Sequence, residues 1–190
     1  IIYMRKNLSS LIIKTLQLNP NNPILGSKIN NNWIWRDKKY ILNSIHYCRD
    51  FLIAENIQKG DRIAYKGANS IEWLSWNMAC NSLGGIWVPM YENQSNEYCN
   101  HIIKDCSPKL LITNSKVDVP STIVKTCYND IEQLENNKKI DFIYNDISTL
   151  IYTSGTTGNP KGVMLSNENI ISNINDIQFR FSDLKNSVSL

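Results

Sequence analysis

The sequence predicts an α/β fold in which a mostly parallel sheet carries helices on both faces. From residue 62 onward, short apolar runs typical of buried strands alternate with longer segments whose apolar residues recur at helical spacing. Parallel neighbours need a crossover, usually a helix, so this alternation favours right-handed βαβ units. Ligands of such sheets gather beyond the carboxyl ends of the strands. A polar, glycine-rich segment follows the strand that ends near residue 153, and it is the first candidate for a site.

The first predicted element is a helix over residues 7–18. Its Leu and Ile side chains recur at helical spacing and stop at Asn19-Pro20, where the proline ends the pattern. An apolar stripe of this kind favours docking on the rest of the same domain. The alternative is an amphipathic helix that lies on a membrane, with Arg5 and Lys6 ahead of it.

Two short strands and a second helix come next. Residues 23–26 and 33–35 flank an Asn-rich turn at 30–32, a pattern typical of a hairpin. The second helix is predicted over residues 39–56, because its apolar side chains fall on one side. The polar turn at 58–61 ends it.

The alternating part of the chain then supplies the sheet. Strands are predicted at residues 62–66, 86–90 and 110–113, more weakly at 122–125, and in the buried run that ends with Leu150-Ile151-Tyr152. Helices are predicted at residues 70–83, 95–106, near 131–136, and at 167–181, the last entered through a Ser166 cap. A polar stretch at 135–139 is expected on the surface, and no internal repeat divides the chain.

Length and composition indicate one ordinary globular domain. The chain has 190 residues, of which 42% are hydrophobic and 19% charged, and this is enough for one well-buried core. The net charge of +3 is spread along the chain without a dense basic run, so no nucleic-acid partner is expected. The pattern predicts no particular oligomeric state.

The cysteines and histidines suggest no metal site or catalytic base. Five cysteines occur without a CxxC pair, and neither His46 nor His101 completes a zinc spacing or has an acid or nucleophile at a telling distance. Metal ligands and catalytic residues are therefore left unassigned. Isolated thiols fit a reducing compartment, so we expect an intracellular protein, either cytoplasmic or peripheral on an internal membrane. No apolar run reaches the length of a membrane span.

The candidate site lies in the segment LIYTSGTTGNPKGVMLS, residues 150–166. Its glycines, including Gly162, are expected to turn with positive φ and to let the backbone approach a ligand. Successive N–H groups then form an anion nest, and a lysine adds mobile positive charge. An apolar return at 163–165 would hold the segment at the rim of the sheet. The residues assigned to the site are Thr153, Ser154, Gly155, Thr156, Thr157, Gly158, Asn159 and Lys161.

Other interpretations fit this segment less well. A Walker A loop needs Gly-Lys followed by Ser or Thr, whereas here Pro160 precedes the lysine and Gly162 follows it. No GxGxxG is present, since Gly84-Gly85 is an isolated pair. A plain hairpin turn needs Gly or Asn at one or two positions, and not a hydroxyl at every other one. The segment therefore predicts a polyphosphate site.

The motif TSGTTGNPKGVMLS resembles the signature phosphate loop of the adenylate-forming superfamily, which includes acyl-CoA synthetases, luciferases and peptide-synthetase adenylation domains. Residues 59–113 are similar to the amino-terminal subdomain of acyl-CoA synthetases, through the runs Gly60-Asp61-Arg62-Ile63 and Glu72-Trp73. The run Val88-Pro89-Met90-Tyr91-Glu92 is most similar to the long-chain, bubblegum-type branch. The resemblance implies part of the large amino-terminal domain of an acyl-CoA synthetase-like fold.

The same resemblance implies an ATP-dependent fatty acid–CoA ligase. The loop would hold the terminal phosphates of ATP and share a Mg²⁺ ion, while a fatty acid attacks the α-phosphate to give acyl-AMP and pyrophosphate. CoA would then take the acyl group, and Lys161 would neutralise charge on the departing pyrophosphate. Asn167 departs from the family, which usually has His after Ser166, and we expect altered packing beside the acyl tunnel.

The resemblance also bears on domain organisation. It implies that residues 1–190 form an incomplete amino-terminal adenylation domain without the carboxy-terminal mobile domain, inactive in adenylation by itself. Two alternatives stay open. One is a non-catalytic nucleotide-binding remnant, which a genuine stop after Leu190 would favour. The other is an amino-acid or aryl adenylating enzyme of the same superfamily.

Overall fold

The computed structural model describes residues 7–18, 21, 23–127, 139–154 and 160–180. The helices are α1 Leu8–Gln17, α2 Lys38–Ala54, α3 Ile71–Ser82, α4 Asn96–Cys106 and α5 Asn167–Arg180. The strands are β1 Pro23–Ile29, β2 Asn32–Asp37, β3 Arg62–Gly67, β4 Ile86–Tyr91, β5 Leu110–Thr113, β6 Val124–Thr126, β7 Ile147–Ser154 and β8 Pro160–Ser166. The weak strand begins two residues later than predicted. The helix predicted near 131–136 and most of the polar stretch at 135–139 lie outside the described residues.

A six-stranded sheet forms the centre of the described part of the chain. Its strand order is β6-β5-β3-β4-β7-β8. Every neighbouring pair is parallel except β7 and β8, which are antiparallel. The carboxyl ends of the parallel strands therefore meet at one edge, and β7 delivers the predicted site segment to that edge.

Helices cover both faces of this sheet, which confirms the predicted fold class. Because side chains alternate along a strand, Ile63 and Tyr65 of β3 point to one face and Ala64 to the other. On the first face they pack with apolar residues of α2 and α3. On the second face Ala64 packs with residues of α4, including Ile102 and Cys106. Each face thus has its own buried cluster.

Helix α1 adds a third layer outside α2 and α3. Its Ile13 and Leu16 are almost fully buried, and they share a cluster with Ile41 of α2 and Met78 of α3. The prediction that this helix docks on its own domain is confirmed, because its packed side chains leave solvent, although Leu11 and Leu18 stay exposed. No helix in the described part of the chain has both the length and the apolar character that crossing a bilayer requires.

Short polar side chains begin helices α3, α4 and α5. Ser70 and Ser95 cap α3 and α4, and each hydroxyl accepts a backbone N–H from three residues ahead, at 3.2 Å in both cases. Ser166 Oγ accepts the N–H of Asn169 at 3.0 Å, which confirms the predicted cap of the last helix. These caps satisfy N–H groups that have no partner inside the helix.

The pair Gly84-Gly85 is structural, and it turns α3 into β4. Gly84 has a φ of +71°, in the region that favours glycine. A Cβ on Gly85 would lie 2.8 Å from Cys80 Sγ and 3.1 Å from its carbonyl oxygen. Close packing of the helix end against the strand therefore explains why two glycines stand together.

Candidate functional site

The predicted phosphate segment connects two antiparallel strands. Ser154, the last residue of β7, pairs with Pro160, the first residue of β8, and Thr153 pairs with Lys161. The apolar return predicted at 163–165 is confirmed as part of β8. We call residues 152–154 and 160–162, which flank the loop on its two strands, the loop stem.

The loop stem stands at the carboxyl edge of the parallel sheet. Strand β7 runs parallel to β4, with Thr149 opposite Trp87. The loop therefore begins on the side where the other parallel strands also end, as the sequence predicts.

Two assigned site residues, Thr153 and Lys161, form a cross-strand pair on the stem. Both are exposed, and paired residues of antiparallel strands project to the same face. Lys161 has no hydrogen bond or ion pair to any residue that the structure describes. A hydroxyl and an ammonium with no partner among the described residues therefore lie side by side on the stem, and both are donors suited to an anion.

Of the other assigned residues, the structure describes only the backbone of Ser154. Ser154 ends β7, but its side chain is not described. Gly155, Thr156, Thr157, Gly158 and Asn159 lie outside the described residues, so their assignment to the site stays a prediction.

The expectation for Gly162 is wrong. The glycines with positive φ in the described chain are Gly60 and Gly84, and Gly162 is an ordinary residue of β8. A Cβ at Gly162 would lie 3.0 Å from Leu150 Cδ1 and 3.2 Å from Tyr152 Cζ. The Leu150 and Tyr152 side chains pack closely against this glycine, and the chain does not turn there.

The strand that leads into the loop is buried on one face only. Tyr152 is buried and packs in the cluster under α4, whereas Ile151, expected to be buried, keeps 37% of its surface exposed. Its partner Val163 is 44% exposed. Helix α4 covers the face that carries Tyr152, and no described element covers the other face at this point.

Helix α4 contacts the loop stem through two polar side chains that sequence reasoning left aside. The Tyr152 hydroxyl donates a hydrogen bond to the Asp105 carboxylate. His101 Nε2 lies 3.1 Å from the carbonyl oxygen of Pro160. His101 and Asp105 are one helical turn apart, so they share a face of α4. That spacing is visible in the sequence, but the two strands they contact are not.

Burial determines the chemistry of the groups beneath the stem. Burial is the largest cause that raises the pKa of Tyr152, followed by its hydrogen bond to Asp105. Burial also raises the pKa of the Cys106 thiol to about 11, and the Asp105 charge adds to this. Both groups therefore keep their protons at neutral pH. Cys106 is a packing residue here and no nucleophile.

Burial has the same effect on the pKa of the other buried cysteines. All five are free, and Cys48, Cys80, Cys99 and Cys106 are buried. Burial raises the pKa of each of these four thiols. In the described ranges no three His, Cys, Asp or Glu side chains gather closely enough to hold a metal ion.

Comparison with known proteins adds the family. A family model described as AMP-binding enzyme matches residues 45–189. Long chain acyl-CoA synthetase 3 of Arabidopsis thaliana is 27% identical over 198 aligned residues, which cover 83% of this chain and 30% of that protein. Long-chain-fatty-acid–CoA ligase ACSBG2 of Rattus norvegicus is 29% identical, covering 78% of this chain and 27% of that protein. The chain thus spans less than a third of these relatives.

Solved structures agree with the fold. A fatty acid AMP ligase from Legionella pneumophila superposes with a TM-score of 0.76 at 23% identity, over 94% of this chain and 33% of that one. VinN, solved with 3-methylaspartate, gives a TM-score of 0.75 at 16% identity, over 93% of this chain and 52% of that one. The family model covers most of the chain, and its range includes the loop stem and α4. The chain therefore belongs to the family of AMP-binding enzymes.

Proposed function

We propose that the complete protein is an ATP-dependent fatty acid–CoA ligase and that this chain supplies its triphosphate-binding loop. The observation that carries the proposal is the exposed pair Thr153 and Lys161 at the carboxyl edge of the sheet, in a chain of the AMP-binding family. A lysine with no partner among the residues that the structure describes, beside a hydroxyl, fits a polyphosphate better than it fits a neutral ligand.

The roles of the residues follow from their chemistry. Backbone N–H groups from Ser154 to Gly158 and the nearby hydroxyls would hold the β- and γ-phosphates. Lys161 would stabilise negative charge as it grows on the leaving pyrophosphate. Threonine or serine hydroxyls of the loop would be suitable oxygen ligands for a Mg²⁺ ion, which would neutralise further phosphate charge.

The reaction has two balanced steps. A carboxylate oxygen of the fatty acid forms a bond to the α-phosphorus of ATP, and the bond from that phosphorus to the bridging oxygen of pyrophosphate breaks. The CoA thiol then loses its proton to solvent, its sulfur bonds to the acyl carbon, and the bond from that carbon to the AMP oxygen breaks, so that AMP leaves. Positioning and electrostatic stabilisation account for most of the rate in such transfers, so a rigid loop stem matters.

The proposed substrate is a long-chain fatty acid. The support comes from the relatives, whose names specify long chain acyl-CoA synthetase and long-chain-fatty-acid–CoA ligase. One solved neighbour from L. pneumophila is a fatty acyl-adenylate ligase in complex with acyl adenylate and pyrophosphate, with a TM-score of 0.76 at 22% identity. A carboxylate of this class is therefore our first choice over an amino acid or an aryl acid.

The decisive experiment removes the cation. In the complete gene product we expect Lys161→Ala to slow fatty acid-dependent ATP–pyrophosphate exchange at least about tenfold, a barrier change of roughly 1.4 kcal/mol. Lys28→Ala, which alters a lysine on the separate hairpin β1–β2, serves as the control and should leave the exchange unchanged. Equal exchange rates for Lys161→Ala and the parent would refute the role of the loop.

A panel of carboxylic acids tests whether the substrate is a long-chain fatty acid. Exchange and thioester formation should be fastest with long-chain fatty acids and slow with acetate, benzoate and free amino acids, since a long apolar chain adds roughly 0.8 kcal/mol of binding per buried methylene. Preference for an amino acid or an aryl acid would favour the other adenylating enzymes of the superfamily. Binding of ATP without exchange for any acid would favour a non-catalytic remnant.

We also propose an intracellular location, cytoplasmic or peripheral on an internal membrane. The support is the set of free, buried thiols, which a reducing compartment preserves. Fractionation of cells that express a tagged complete protein tests this. Recovery from the medium would refute it, and release from membranes by salt or alkaline buffer would identify peripheral attachment.

A further inference from the structure

Helix α4 contacts both strands of the loop stem from behind. His101 contacts Pro160 on β8, and Asp105 contacts Tyr152 on β7. The contacts lie one helical turn apart on α4, while their partners belong to two antiparallel strands. A single rigid helix is therefore bonded to both ends of the predicted phosphate loop.

Each contact has a defined donor and acceptor. The Pro160 carbonyl oxygen can only accept, so His101 Nε2 carries a hydrogen and donates it. The Tyr152 hydroxyl donates to a carboxylate, and such charge-assisted bonds are about twice as strong as neutral ones. Both contacts are thus directional, and both restrict where the strands of the stem can lie.

The bonded residues are direct neighbours of the exposed pair. Tyr152 precedes Thr153, and Pro160 precedes Lys161. Because side chains alternate along strands, Tyr152 faces α4 while Thr153 and Lys161 project from the opposite face. Helix α4 therefore contacts the back of the stem, and Thr153 and Lys161 project from the face that α4 does not contact.

Packing adds a third restraint at the same place. The Tyr152 ring crosses the strand pair and lies over Gly162, its partner on β8. This arrangement keeps the phenol within reach of Asp105. A shift of β8 along β7 would move Gly162 away from the ring, so the ring, the glycine and the carboxylate fix one register.

We propose that His101 and Asp105 are positioning residues that fix Thr153 and Lys161 through the backbone of the loop stem. This inference rests on the proposed function of the loop. Neither residue is proposed to contact the substrate. A reacting group displaced by about 1 Å can lose about a hundredfold in rate, so a modest shift of the stem should be measurable.

The test compares two replacements of His101 in the complete gene product. His101→Phe keeps a ring but removes the donor, and His101→Gln restores an N–H donor on a flexible side chain. We expect His101→Phe to lower kcat for ATP–pyrophosphate exchange about tenfold with little change in KM for the fatty acid, and His101→Gln to recover most of it. Tyr152→Phe should behave like His101→Phe, while Lys104→Ala on the exposed side of α4 should match the parent.

A second measurement does not depend on activity. Hydrogen exchange at the backbone N–H groups of β7 and β8 near the stem should be about tenfold faster in His101→Phe, return toward the parent in His101→Gln, and stay unchanged in β1–β2. Unaltered stem protection, or a His101→Gln variant no better than His101→Phe, would overturn the inference. A parent protein without exchange activity would overturn the proposed function alone, because stem protection would still respond.

Discussion

Asn167 joins three parts of the chain at a buried position. Its Oδ1 accepts the N–H of Leu8 at 2.9 Å, and its Nδ2 donates to the carbonyl oxygen of Asn145 at 2.8 Å. Its own N–H donates to the Asp146 carbonyl oxygen at 3.0 Å. Only 2% of its surface is exposed. The residue that departs from the resembled family thus connects α5 to α1 and to the segment before β7, and an apolar side chain could not replace these bonds.

Replacing Asn167 should lower stability. In Asn167→Leu the Leu8 N–H and the Asn145 carbonyl lose their partners in a buried site, and we expect the free energy of unfolding to fall by about 2 to 3 kcal/mol. Urea denaturation of the variant and the parent measures this change in the free energy of unfolding. Asn175→Leu, an exposed change on the same helix, should shift it by about 0.5 kcal/mol at most. If Asn167→Leu lowered the free energy of unfolding no more than Asn175→Leu does, the hydrogen bonds of the Asn167 side chain would contribute little to stability.

At the scale of single elements, local signals explain most of what the sequence predicts correctly. The caps Ser70 and Ser95, and the turn at Asn30, act within a few residues, so they can be identified without the fold. The contact of His101 with Pro160 joins residues 59 positions apart, and only the folded sheet brings them together. For the same reason the sequence alone wrongly predicts a turn at Gly162, because the side chains that pack against this glycine lie on another strand.

The hairpin β1–β2 shows such a local signal in full. Asn30 and Asn31 have φ values of 48° and 63°, and Ile29 pairs directly with Asn32. Two central residues with positive φ indicate a type I′ turn, whose twist matches that of the strands. Asparagine tolerates this conformation better than other residues with a side chain, apart from aspartate. The run of asparagines therefore sets where the chain reverses.

A β-branched residue in this turn should be costly. We expect Asn31→Val to lower the free energy of unfolding by about 1 to 2 kcal/mol, because valine in the left-handed region is strained, and Asn31→Gly to be neutral or slightly stabilising. Thermal unfolding of both variants beside the parent provides the comparison. If valine and glycine gave the same midpoint, the turn would not have the positive φ that the structure shows.

Across the whole molecule, layers of helix on sheet place the ionisable thiols in apolar surroundings. Cys80 of α3 packs in the buried cluster on one face of the sheet, and Cys106 of α4 packs in the buried cluster on the other face. The fold class was predictable from alternation alone. Which cysteines would become buried depends on the face each helix presents, and the helical spacing of the apolar residues constrains this only in part.

This burial predicts a loss of stability in alkaline solution. The pKa of Cys106 rises from 9.0 to about 11 in the folded chain, chiefly through burial. The unfolded chain loses this proton first, so the contribution of Cys106 is complete below about pH 9 and is lost as pH rises toward about 11. In that window it adds up to about 1.4 kcal/mol per pH unit to the decline.

Removing the thiol should flatten the pH profile. With reductant present, we expect the free energy of unfolding of Cys106→Ala to fall less steeply above about pH 9 than that of the parent. The difference in slope corresponds to at most one proton released on unfolding. Cys127→Ala removes an exposed thiol and should follow the parent. Parallel profiles for the parent and Cys106→Ala would show that Cys106 titrates alike in the folded and unfolded chains.

The pairing of Thr153 with Lys161 also limits how this segment can evolve. Side chains alternate between the two faces along a strand, so inserting one residue between Lys161 and Gly162 would turn the lysine toward α4 or move Tyr152 off the glycine. Changes of residue type leave this geometry intact, whereas changes of length do not. Natural variation near the stem should therefore proceed by exchange of side chains at constant spacing, and length changes should be confined to connections that no helix braces.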